Sequence, residues 1–179
     1  KLKTRSGLYD TELRKLVGHG WFEKGDYQKA LPYLEAYAAK APSLSRQDLY
    51  ELSYSYYHTG KYEKSIDGFK QLSGKEDSLA QNAMYLLGDA YLKTGQKANA
   101  RNAFLFCALN SSNPTQQEIS KFNYGKLSYE LGYHDIALTE LQDFIQRYPA
   151  SVYQKEAREV LIGVMTKTRN YKDAIVMLE

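Results

Sequence analysis

Three histidines, one cysteine and a scatter of carboxylates are the residues on which catalysis or metal binding would have to rest. Their spacing supports neither. His19, His58 and His134 each stand without a second histidine at helical spacing, so no zinc-type ligand set forms locally. Cys107 lies in the apolar run Phe104-Leu105-Phe106-Cys107-Ala108-Leu109, the setting of a buried, inert thiol. A lone cysteine also excludes an internal disulfide and any cysteine-cluster metal site. Glu76 and Asp77 suit a helix start, where the dipole favours negative charge. No glycine-rich phosphate loop and no Ser-His-Asp ordering appears. The sequence therefore predicts no catalytic residue, no metal and no cofactor.

Aromatic residues are the chemistry that remains. Among 179 residues there are 17 Tyr and only 4 Pro. The chain is 43% hydrophobic and 25% charged, enough to bury a core. A net charge of +3, dispersed along the chain, is too small for a dedicated nucleic-acid surface. No apolar run approaches the roughly 18 residues of a membrane span. There is no initiator Met and no signal-peptide pattern at residues 1–10. A processed or excised piece of a longer repeat protein is the expectation.

The elements that position these rings emerge from an internal repeat. Gly25-Asp26-Tyr27 is followed by Ala30 and Leu34, Gly60-Lys61-Tyr62 by Ser65 and Phe69. Gly95-Gln96-Lys97 precedes Ala100 and Phe104, and Gly132-Tyr133-His134 precedes Ala137 and Leu141. In a fifth copy Arg169 replaces Gly, ahead of Ala174 and Leu178. The small residues recur at intervals of 35, 35, 37 and 37 positions. Glycine ends a helix by taking positive φ, and the small residue lets the next helix approach. Seven residues before each turn stand Gly18, Ser53, Gly88 and Gly125, with Ile162 as the exception. Trp21, Tyr56 and Tyr91 follow three residues later. The pattern predicts ten helices, at about 10–23, 27–40, 45–59, 62–73, 77–94, 97–110, 115–131, 134–148, 151–168 and 171–179, and no strands. Pro32 falls inside the second helix; Pro42 and Pro149 fall between units.

At Met84, Leu87-Gly88, Tyr91, Gly95, Ala100 and Phe104 the chain resembles the tetratricopeptide repeat family. The resemblance implies an all-α, right-handed α-solenoid of about five helix-turn-helix repeats, at about 11–44, 45–76, 77–114, 115–150 and 151–179. It also implies that the first helix of each pair lines a concave face. The outward positions of those helices make a candidate partner-binding groove of Lys15, His19, Phe22, Tyr50, Tyr54, Tyr57, Tyr85, Asp89, Phe122, Lys126 and Tyr129. Seven of these eleven are aromatic, where a solvated face would carry Lys, Glu and Gln. Two readings stand open: a binding groove, or rings that fill space between neighbouring first helices. The Lys and Asn clamp by which some tetratricopeptide domains hold a peptide's terminal carboxylate is not matched, because His19, Tyr54 and Asp89 occupy its slots.

The run Leu141-Gln142-Asp143-Phe144-Ile145-Gln146-Arg147-Tyr148-Pro149-Ala150-Ser151 is similar to repeat junctions of bacterial envelope proteins, the outer-membrane assembly lipoprotein and the Tol-Pal coordinator among them. The expectation is a non-enzymatic scaffold for a protein or peptide partner, in a bacterial periplasm or envelope, with the cytoplasm as the alternative. A helical carbohydrate binder, with rings stacking on sugars, and a structural spacer are the alternative functions. An RNA-reading pentatricopeptide array, which shares the helical-pair build, would need a more basic groove. The oligomeric state is not written in the sequence.

Overall fold

The computed structural model describes the backbone of residues 2–168 and 171–178, and the side chains of residues 7–168 and 175–178. Among the described residues ten α-helices follow one another: α1 (Leu2–Glu23), α2 (Tyr27–Lys40), α3 (Arg46–His58), α4 (Tyr62–Phe69), α5 (Ser78–Lys93), α6 (Lys97–Leu109), α7 (Pro114–Glu130), α8 (His134–Arg147), α9 (Gln154–Lys167) and α10 (Tyr171–Leu178). A 3-10 turn, Lys70–Leu72, extends α4. No strand occurs among the described residues. Helix α1 begins eight residues earlier than its periodicity indicates. Residues 2–9 contain no proline and no run of turn formers, so nothing stops the helix there.

The turn chemistry matches the sequence reading closely. Gly25, Gly60, Gly95 and Gly132 have φ of 74°, 77°, 75° and 86°, in the left-handed region. After each, the next backbone N–H reaches back across the helix end, as from Asp26 to Trp21 O at 3.0 Å and from Gln96 to Tyr91 O at 2.8 Å. This is the Schellman closure, and it folds each second helix back on its first. The opposite ends of α3, α5 and α7 are capped by side chains. Ser45 and Asp48 form a reciprocal capping box on α3, Asp77 accepts from Ala80 N, and Asn113 accepts from Gln116 N beside Pro114.

Small residues sit where two helices touch. A Cβ on Gly88 would lie 2.7 Å from the Phe104 ring, one on Gly18 2.8 Å from Leu34, and one on Gly125 3.0 Å from Leu141. The second pair inverts the device: a Cβ on Gly68 of α4 would collide with Ser53 Oγ of α3. Ala30, Ala100 and Ala137 are fully buried. The fifth pair departs from expectation. Leu178 is 74% exposed, and Met177 packs on the core in its place. Ile162 puts a branched side chain where the other pairs keep a glycine or serine, so the cleft that would receive Leu178 is absent. Gly163, one position on, is the close approach instead, with its Cβ position 3.0 Å from Tyr129 Oη. Arg169 and Asn170, and the side chains of Tyr171 and Ala174, lie outside the described residues.

The chain divides into two compact units, residues 1–74 (α1–α4) and 75–179 (α5–α10). In the first, Leu31, Leu34, Ile66, Phe69 and Leu72 are buried. In the second, Phe122, Leu141, Phe144, Leu161 and Met165 close one core.

Candidate functional site

In the first unit, α1 and α3 lie side by side, and the α1 candidates are spent on α3. Lys15 Nζ is 3.3 Å from Asp48 Oδ1, and it also sits over the Tyr37 ring at 5.3 Å. Tyr37 Oη donates to Asp48 Oδ2 at 3.3 Å. Burial works to raise the Asp48 carboxyl, but Ser45's hydroxyl and N–H together with Lys15 outweigh it and hold the group below the usual range. Burial likewise works to lower the Lys15 ammonium, and Asp48 raises it overall. One turn on, His19 Nδ1 lies 2.8 Å from Glu51 Oε1, which also accepts from Gln47 Nε2 at 3.1 Å. Glu51 is 3% exposed, so its carboxylate is held almost wholly by these neighbours.

A further turn on, the rings begin. Phe22 meets Tyr54 edge-on at 5.6 Å, and Tyr54 continues to Tyr27 at 5.2 Å and to Tyr50 at 5.5 Å. His58 stacks on Tyr27 at 4.8 Å and lies 4.3 Å from Tyr54. Tyr57 joins through His58, Tyr62 and Phe69. Burial among the rings raises the Tyr54 phenol and lowers the His58 imidazole. Tyr50, Tyr54 and Tyr57 are half-buried, so one side of each ring packs and the other meets solvent. Such contacts each add about 0.5–1.5 kcal/mol beyond area burial. The rings therefore fill space between neighbouring helices on one side and stay wet on the other.

In the second unit the candidates separate. Phe122 is 2% exposed, stacked on Tyr153 at 5.0 Å and set 5.6 Å from Phe144. It is a core residue and does not face outward as expected; its place on α7 looks toward α8 and α9 together. Lys126 Nζ pairs with Glu156 Oε1 at 2.6 Å, tying α7 to α9. Tyr129 is half-buried, packing beside His134 and against Gly163. Tyr85 sets its edge on Phe104 at 6.2 Å, and burial followed by Tyr153 and Asp89 raises its phenol. Asp89 lies 3.6 Å from Lys93 on its own helix.

The sequence reading missed Tyr27 and His58 as members of the ring cluster, and Asp48, Glu51 and Glu156 as partners of Lys15, His19 and Lys126. The signal was present: each carboxylate follows its partner by slightly less than one repeat, 33, 32 and 30 positions. Cys107 is fully buried, its Sγ 3.7 Å from Gln116 O, and burial pushes its thiol up to about 11. No cluster of metal-binding side chains exists among the described residues. None of their helices is long and apolar enough to cross a membrane.

Helix pairs closed by glycine turns have relatives among known proteins. Residues 8–168 match the family YfiO, described as outer membrane lipoprotein. The chain belongs to the YfiO outer membrane lipoprotein family. No curated protein sequence matches it. Among solved structures, a MamA protein is 19% identical with a TM-score of 0.68, over 94% of this chain and 88% of that one. YrrB, titled a TPR protein with an unusual peptide-binding site, is 18% identical with a TM-score of 0.69, over 90% and 79%. A putative kinesin light chain from Podosopora anserina with TPR-like repeats is 16% identical with a TM-score of 0.60, over 95% and 92%. At these identities the likeness establishes the fold alone. This YfiO-family chain has the all-α tetratricopeptide repeat fold.

Proposed function

We propose that the chain is a non-enzymatic adaptor in bacterial envelope assembly, binding a protein or peptide partner across the faces of its first helices. Membership of the YfiO family, over residues 8–168, carries this reading. The half-buried Tyr50, Tyr54, Tyr57, Tyr85 and Tyr129 support it, since a ring fixed on one side and wet on the other binds with little loss of rotamer freedom. Lys15, His19, Asp89 and Lys126 serve that face as spacers and charge, because their neighbours already hold them. The periplasm is the compartment this reading assigns.

Photo-crosslinking tests it. Tyr50→p-benzoylphenylalanine, Tyr57→p-benzoylphenylalanine and Tyr129→p-benzoylphenylalanine should trap an envelope protein on illumination. The same change at exposed Lys64 and Asn102, on second helices, should trap none. Adducts at Lys64 and Asn102 alone would move the site to the second helices. Adducts solely with cytosolic proteins would overturn the compartment.

A further inference from the structure

Within the second unit, a groove of about 380 Å³ opens between α8, α9 and α10. Its floor is Leu161 and Met165 of α9, and its apolar rims are Ile145 of α8 and Met177 of α10. Arg158 stands at the groove, with the amides of Gln142 and Gln146 on the α8 side. The volume admits two or three side chains.

One repeat earlier, charged and polar side chains fill the corresponding place. A shift of 37 positions carries Tyr124 to Leu161, Ser128 to Met165, Arg101 to Leu138, Lys121 to Arg158 and Glu140 to Met177. There the Arg101 guanidinium, reaching over from α6, lies 4.8 Å from the Tyr124 ring and 4.4 Å from the Tyr133 ring. It donates to Ser128 Oγ at 2.8 Å and to Tyr124 Oη at 3.2 Å. Lys121 is clasped by Glu140 and Asp143, each at 2.7 Å. Plug and clasp leave that position closed.

One repeat on, Leu138, Leu161, Met165 and Met177 stand in the places of Arg101, Tyr124, Ser128 and Glu140. Leu161 and Met165 offer no hydroxyl, and Leu138 offers no guanidinium. Met177 stands where Glu140 supplied a carboxylate. Arg158 Nε donates to Gln154 Oε1 on its own helix at 3.3 Å, and meets no carboxylate among the described residues. What remains is an apolar trough with a cation at its side, the inverse of a carboxylate flanked by apolar side chains.

We propose that this groove docks a partner peptide in which an acidic residue lies between apolar ones, the carboxylate pairing with Arg158 and the apolar side chains lying on Leu161 and Met165. Arginine suits the task because its planar fork takes a carboxylate through two parallel hydrogen bonds. The site is separate from the ring-bearing faces of the first helices and goes beyond the function proposed for them.

The probe is a fluorescein-labelled Leu-Glu-Leu-Glu-Leu-Glu-Leu peptide, titrated against the whole chain by anisotropy, with a Gln-for-Glu peptide beside it. Arg158→Gln should weaken the Glu peptide about tenfold, the size of a lost charge-assisted pair, and leave the Gln peptide unchanged. Arg158→Lys should restore part of the loss. The chain has three methionines, Met84, Met165 and Met177, which makes methyl NMR a positional readout. The Met165 and Met177 signals should shift on titration while Met84 stays still. Tyr54→Phe should change nothing, which separates this site from the first-helix face. Equal binding by Arg158→Gln, no binding of the Glu peptide, or a shift confined to Met84 would each overturn the proposal.

Discussion

The two compact units use one repeat grammar to join their helix pairs, and they spend different chemistry on the joint. The first unit links α1 to α3 through a lysine–carboxylate pair, an imidazole–carboxylate hydrogen bond and a half-wet ring cluster around Tyr54. The second closes a dry core around Phe144 and fastens its loops with a buried amide. Repeat physics requires that neighbouring pairs be joined, but leaves the means free. Half-wet rings and paired charges keep part of the first unit's joint at the surface, while the Phe144 ring is wholly enclosed. The sharpest contrast is therefore between Phe144 and Tyr54. Phe144→Ala removes a fully buried ring and should cost about 3–5 kcal/mol. Tyr54→Ala leaves a gap open to solvent and should cost about 1–2 kcal/mol, more than an outward ring free of neighbours would. Urea unfolding followed by circular dichroism measures both, and equal losses would erase the distinction.

Gln81 extends the contrast to polar joints. It is 1% exposed, and its Nε2 donates to the carbonyls of Asn110, at 2.5 Å, and Asn113, at 3.1 Å. Its Oε1 accepts from Asn113 N at 2.5 Å, so one side chain replaces the missing backbone partners of the α6–α7 loop. Gln81→Leu keeps the bulk but orphans these groups, and should cost about 1–3 kcal/mol. Hydrogen exchange should rise at Asn113 and leave the first unit's turns unchanged. Fast exchange spread over both units would mean that they unfold together.

The inverted contact of the second pair yields a test by compensation. Gly68→Ala drives a Cβ into Ser53 Oγ and should cost about 1–3 kcal/mol, by overpacking. Ser53→Gly loses the bond from its hydroxyl to Leu49 O, 2.7 Å long, and should cost less. Together the two changes rebuild the arrangement of the third and fourth pairs, with glycine on the first helix. The double variant should then be more stable than the sum of its parts predicts, by at least about 0.5 kcal/mol. Simple additivity would show that the helices shift apart instead.

How far the sequence could be read follows from the same residues. The turns were legible because Gly25, Gly60, Gly95 and Gly132 must take a backbone conformation other residues avoid, and the period exposes them. Helix contacts were legible through Gly88 and Phe104, where one side chain is absent so that another fits. The site was harder. That Phe122 points inward depends on where Tyr153, in the next repeat, places its ring. That Lys15 and His19 are held depends on Asp48 and Glu51, nearly a full period away. Leu178 failed for a local reason, the branched Ile162 in a slot that pattern alone treats as small. Periodicity reveals which face a residue occupies, and the neighbouring repeat decides what that face meets.

The smallest expected effect separates two carboxylates. Asp48 and Asp143 are both held below the usual carboxylate range, so each contributes stability above about pH 4 that is lost as pH falls through its lowered value. Their holders differ. For Asp143 the largest influence is Lys121 itself, reinforced by Arg147, against an opposing contribution from burial. For Asp48, burial opposes, and the Ser45 hydroxyl and N–H precede Lys15 in restoring the charge. Lys121→Met should therefore move the Asp143 midpoint upward toward its ordinary value and flatten acid destabilisation of the second unit. Lys15→Met should leave the Asp48 midpoint still depressed, because the capping box of α3 survives. Carboxyl carbon NMR titration of the two variants reads both midpoints directly. If Asp48 instead rose as far as Asp143, the first unit's joint would rest on its ion pair rather than on its helix cap. The two units would then differ in their rings and not in their charges.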